Sequence, residues 1–162
     1  MLIRDATAED WPEIWTIMRQ IVATGEHFTS DPDMTPERGR AAWMDKSGGR
    51  VFVVLDDDGR IVGSANMHPN HHGPGAHVAN AGFMVDPACE GHGIGQALGE
   101  HVLEQARRDG YLAMQFNAVV ETNTRAVRLW QALGFDILAT VPEAFRHPRL
   151  GLVGLHIMHR RL

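Results

Sequence analysis

Val85-Asp86-Pro87-Ala88-Cys89-Glu90-Gly91-His92-Gly93-Ile94-Gly95-Gln96-Ala97-Leu98 runs from the end of an apolar strand, through a proline and three alternate glycines, into the start of a helix. Gly91, Gly93 and Gly95 permit backbone angles that side chains forbid, so the chain can close tightly around a guest. The first N–H groups of the following helix then point into the loop, with roughly half a positive charge from the aligned peptide dipoles. Such a loop is an anion site, and phosphate is the expected guest.

Glycine spacing narrows the choice of phosphate. A dinucleotide fingerprint needs glycines at its first, third and sixth places, but the sixth place is Gln96 counted from Gly91 and Leu98 counted from Gly93. A Walker-type loop ends in Gly-Lys-Ser/Thr, whereas Gly95 is followed by Gln96 and Ala97. What remains, Glu90-Gly-His-Gly-Ile-Gly after Val-Asp-Pro, resembles the pyrophosphate loop of the GNAT superfamily of acyl-CoA N-acyltransferases. That family usually has Gln or Arg where Glu90 stands. A second segment, Asn123-Thr-Arg-Ala126-Val-Arg-Leu129-Trp130-Gln-Ala-Leu133-Gly134-Phe135, is similar to the family's Asn-x-x-Ala…Leu-Tyr-x-x-Leu-Gly-Phe, with Trp130 in place of the tyrosine.

The rest of the chain reads around these two segments. Leu2–Asp5 is a short strand, and Thr7 with Asp10 three places on signals a helix start. Trp11, Ile14, Trp15, Met18, Ile21 and Val22 make one apolar stripe that ends at Gly25. After a polar loop, Thr35-Pro36 opens a second helix to about Lys46. Val51–Leu55 and Arg60–Met67 form a hairpin with Gly63 as a bulge, and His68–His77 is a surface loop. Val78–Val85, a helix from Ile94 to Gly110, Leu112–Val119, a helix from Asn123 to Gly134, and strands Phe135–Val141 and Leu150–His159 complete the chain. This order predicts an α/β (α+β) fold with a mixed sheet flanked by helices, in one domain over residues 1–162. The resemblance implies a mostly antiparallel, twisted sheet of seven strands, four helices, and a splay between the fourth and fifth strands.

It also implies acetyl-CoA as donor. Phe83, Met84 and Val85 would pair with the pantetheine arm, and a backbone N–H near Met84 or Val85 would polarise the thioester. The pyrophosphate would sit on Glu90, Gly91, His92, Gly93, Ile94, Gly95 and Gln96, with Asn117, Asn123, Ala126 and Trp130 nearby. Many members use a tyrosine acid where Trp130 stands, and an indole is a very poor proton donor. A thiol of pKa about 8.5 leaves without much help, so Trp130 is expected to pack against the pantetheine end or the core.

The acceptor wall would contain Glu26, His27, Phe28 and Thr29. Glu121, Glu26 and His27 are the candidate proton acceptors, and Asn117 is an odd polar choice inside an apolar strand. Residues Asn80 through Gly134 are similar to N-acetyltransferases of proline analogues such as azetidine-2-carboxylate. That resemblance implies that Asn80 serves the substrate carboxylate, Asn117 the reacting centre and Asn123 the cofactor. Its acceptor would be the amine of a small amino acid or analogue; a non-catalytic acyl-CoA sensor on the same fold is the alternative. An α-amine near pKa 8 is roughly one-tenth neutral at pH 7, which suits a weak base better than a lysine near 10.4.

Composition agrees with a small-molecule partner. A formal charge of -5, from 15 basic and 20 acidic residues, argues against nucleic acid. No apolar run approaches the ~20 residues of a membrane helix, and Met1-Leu2-Ile3-Arg4-Asp5 lacks a signal peptide's plan, so a cytoplasmic protein is expected. His68, His71, His72 and His77 lack metal-ligand spacing, and no metal is expected. The stretch from Asp136 onward is where a second copy could pair as a homodimer.

Overall fold

The computed structural model describes residues 1–162. Its seven strands are β1 (Leu2–Asp5), β2 (Arg50–Leu55), β3 (Ile61–Pro69), β4 (Val78–Val85), β5 (Ala113–Val120), β6 (Asp136–His147) and β7 (Gly151–Arg161). The helices are α1 (Trp11–Ala23), α2 (Pro36–Trp43), α3 (Ile94–Arg108) and α4 (Thr124–Ala132). One sheet holds all seven strands in the order β1-β2-β3-β4-β5-β7-β6, and β4 with β5 is its one parallel pair. No helix is long and apolar enough to cross a membrane.

Strand alternation sends side chains to two cores, one on each face. On one face Val53 and Met84 meet Trp11, Ile14, Met18, Ile21 and Val22 of α1 and Trp43 of α2. On the other, Phe52, Val54 and Phe116 meet Leu98 and Val102 of α3 and Trp130 of α4. Glycines set the closest approaches. A Cβ on Gly39 would lie 2.6 Å from the Trp15 ring, and one on Gly99 would lie 2.6 Å from Leu133. Before α1, a 3-10 turn (Ala8–Asp10) carries the expected cap: the Thr7 N–H donates to Asp10 Oδ2 at 2.7 Å.

The last two strands are longer than proline and glycine signals suggested. β6 continues through Pro142 because residues 142–144 bulge opposite Gly154, with Glu143 at φ +52°. β3 continues past Met67, which puts His68 in the sheet beside Asn80. Gly63 lies at the expected irregularity, where the register slips between Val54 and Leu55.

Candidate active site

β4 and β5 pair only at Val78 with Ala113 and Ala79 with Met114, then part. β5 bends there, since Asn117 and Ala118 together face a single residue of β7. Asp86 donates to the Val62 carbonyl at 2.9 Å, and Val78 accepts from Asn70 at 2.8 Å. Antiparallel alternation therefore turns the even residues of β4 toward β3 and leaves the amides of Ala81, Phe83 and Val85 facing the gap. The Met84 amide is turned into the sheet, so of the Met84 and Val85 amides only that of Val85 faces the gap.

At the gap's mouth lies the glycine turn. Gly91 and Gly93 have φ of +84° and +76°, which only glycine adopts at little cost. Gly95 is helical instead, and its missing side chain admits Leu129 of α4, which a Cβ would meet at 3.3 Å. None of the amides from Gly91 to Gln96 donates to a protein acceptor. Nothing lies within 4 Å of a Cβ built on Gly93, so the turn is an open cradle of bare N–H groups that a diphosphate fits. Glu90 does not stand alone there: Arg125 of α4 bonds its carboxylate at 2.6 Å. The exposed His92 ring turns back to the Cys89 carbonyl at 3.1 Å, and the His92 amide is among the bare ones. Asn123 caps α4, accepting from the Ala126 N–H at 3.3 Å.

A single cleft of about 990 Å³ joins this cradle, through the gap, to a pocket beneath α1 and α2. Trp130 lines it and is buried in an aromatic cluster, its ring centroid 4.6 Å from Phe83 and 4.9 Å from Phe116. The indole N–H has no protein acceptor and is not sealed from solvent. Asn117 reaches across the parted strands: its Nδ2 donates to Asn70 Oδ1 at 2.8 Å, and its Oδ1 accepts from Gln115 at 3.0 Å.

Two expected carboxylates are elsewhere. Glu121 accepts from the Gly154 amide at 2.6 Å and does not line the cleft; it satisfies backbone opposite the β6 bulge. Glu26 is held by Arg149 of the β6–β7 turn at 2.6 Å, also outside the cleft. His27, Phe28 and Asn80 do line it.

The pocket also contains residues with no local signal in the sequence. Trp43 forms a wall, with its indole N–H donating to Ser64 Oγ at 3.0 Å and Phe28 edge-on at 6.4 Å. Asn66 is 6% exposed and accepts the Gly82 N–H on Oδ1 at 2.8 Å. His68 Nδ1 lies 2.8 Å from the Pro69 carbonyl. A carbonyl can only accept, so Nδ1 carries the proton, and in the neutral form of the ring the lone pair is on Nε2, which has no protein partner. Lys46 completes the lining.

Comparisons with known proteins agree with this geometry. The model of the Acetyltransferase (GNAT) family matches residues 5–135. A GCN5-related N-acetyltransferase from Kribbella flavida is 55% identical, with a TM-score of 0.95 over 99% of this chain and 97% of that one. The structure of yncA from Salmonella typhimurium with its cofactor acetyl-CoA has 25% identity and a TM-score of 0.87, over 100% of this chain and 94% of that one. An L-methionine sulfoximine/L-methionine sulfone acetyltransferase from Salmonella typhimurium is 26% identical over 146 residues, 88% of this chain and 84% of its own length. Three other curated relatives are much longer, and the chain matches 41%, 36% and 13% of their lengths. The family match takes in both motif segments and both parted strands, and the chain belongs to the GNAT acetyltransferase family.

Proposed function

We propose that the protein transfers an acetyl group from acetyl-CoA to the amine of a small amino acid or analogue, by direct attack within a ternary complex. The observation that carries this reading is the continuous cleft from bare amides, through a strand gap, to a separate pocket. A diphosphate carrier with a long arm uses all three parts; a simple nucleotide would leave the gap without a role. The sulfoximine acetyltransferase and the acetyl-CoA-bound yncA support donor and acceptor class by similarity.

Acetyl-CoA supplies an activated acyl group. The amides of Gly91 to Gln96 anchor its diphosphate, and the Phe83 and Val85 edge of β4 aligns the arm as an added strand. The Val85 N–H stabilises the charge that develops on the carbonyl oxygen. Asn117, fixed by Asn70 and Gln115, presents a polar edge at the reacting centre. As the nitrogen–carbon bond forms and the carbon–sulfur bond breaks, the amine's proton passes through water in the cleft to His68 Nε2, because His68 pairs with Asn80, five positions along β4 from Val85. The Trp130 N–H steadies the departing sulfur without protonating it. Glu121 and Glu26 lie outside the cleft, and the one carboxylate that lines it, Glu90, belongs to the glycine turn; of the histidines that line it, His27 and His68, His68 takes this role because the Pro69 carbonyl fixes its ring.

Free thiol released from acetyl-CoA tests the transfer, with azetidine-2-carboxylate, methionine sulfone, phosphinothricin and the common amino acids as acceptors. Release that depends on an acceptor is expected; no release with any of them favours an acyl-CoA sensor. His68→Ala is expected to lower kcat about a hundredfold and to recover in part with added imidazole. An unchanged kcat removes His68 from the reaction.

A further inference from the structure

We propose that Lys46 and Asn66 form an anion subsite in the acceptor pocket, which takes the carboxylate of an α-amino acid and sets the enzyme's preference for acids over neutral amines. The inference rests on the transferase reading for turnover, but not for binding. Lys46 is the sole lysine among the chain's 15 basic residues, and it lines the cleft. It forms no ion pair. The other full cation lining the cleft, Arg125, is bound to Glu90 at the glycine turn. The cleft thus presents, away from the glycine turn, the exposed and unpaired Lys46 ammonium and no carboxylate. A polyamine or an aminoglycoside, carrying several positive charges, would find nothing there to pair with.

Asn66 is the second, independent observation. It is more than nine-tenths buried, and the Gly82 N–H on Oδ1 fixes its amide orientation. Its Nδ2 is therefore a donor whose direction is set, yet it has no protein acceptor and is not sealed from solvent. A Cβ on Gly82 would lie 3.0 Å from Asn66 Oδ1 and 3.1 Å from the Trp43 ring, so the glycine keeps this floor open. A fixed amide donor and an ammonium that line one cleft, with Trp43, Phe28 and Met18 as its apolar wall, match a carboxylate next to an apolar side chain.

The single lysine makes the test direct. In protein labelled only at lysine, one side-chain ammonium signal reports on Lys46. With CoA present, that signal is expected to move on adding L-leucine, methionine sulfone or azetidine-2-carboxylate, and not with the corresponding carboxamides. In turnover, Lys46→Met is expected to lower the ratio of kcat/KM for acid over amide about tenfold, and Lys46→Arg to restore most of it. Asn66→Asp keeps the acceptor for Gly82 but replaces the donor with a negative charge, and should abolish the acid-induced shift. A signal that ignores every acid, or answers acids and amides alike, overturns the subsite. A shift with acids but no thiol release keeps the subsite and removes the transferase reading.

Discussion

Trp130 is where this chain departs most visibly from the tyrosine its motif implies, and two substitutions separate its roles. Trp130→Phe keeps a ring against Phe83 and Phe116 but loses the N–H, and should lower kcat by less than about tenfold, because a thiolate leaves readily. Trp130→Ala should cost about 3–5 kcal/mol in urea unfolding, since it empties the centre of the cluster. A kcat loss for Trp130→Phe as large as that expected for His68→Ala would instead show that departure of the sulfur depends on the indole hydrogen bond.

Asn117 could be found from sequence because a polar residue in an apolar strand is a local contradiction. Glu121 and Glu26 looked equally chemical, but their partners, the Gly154 amide and Arg149, lie far along the chain and take them out of the cleft. Asn66 and Lys46 had no local mark and His68 read as part of a surface loop, since their meaning comes from sharing a pocket with Trp43 and Asn80.

Among elements, the glycine turn and α4 act as a pair. Glu90 alone would repel a diphosphate, and Arg125 offsets it at 2.6 Å. Arg125→Ala is therefore expected to weaken CoA binding about tenfold by calorimetry, and adding Glu90→Gln to restore most of it; equal affinities for all three proteins would show that the pair is only a surface contact. The turn itself was legible because its glycine spacing is contiguous. β6 was not, because Pro142 normally ends a strand and here sits in a bulge that keeps the pairing with β7.

At the other end of the fold, the cap before α1 ties pH to stability. Arg4 bonds both Asp10 oxygens, at 2.7 and 2.9 Å, and holds that carboxyl below its usual range. A lowered folded-state value adds stability above the unfolded pKa of about 3.9, which fades as pH falls through the folded value. Asp10→Asn should thus cost about 1 kcal/mol at pH 7 by urea denaturation, with the gap to wild type closing below about pH 4. A constant gap across that range would separate Asp10's contribution from its charge.

For the molecule as a whole, the sheet does two jobs. Its faces bury two cores, and its one parallel pair fails to stay paired, which joins those faces by a cleft. The alternation of strands and helices was legible as far as this topology. The cleft's continuity was not, since it depends on where β5 bends. A crystal structure of the protein with acetyl-CoA tests this most directly. The account predicts the diphosphate within hydrogen-bond distance of amides between Gly91 and Gln96, and the arm between Val85 and Asn117 with its acetyl group toward His68. Density for the diphosphate anywhere else, or β4 and β5 joined along their length around an empty turn, would contradict it.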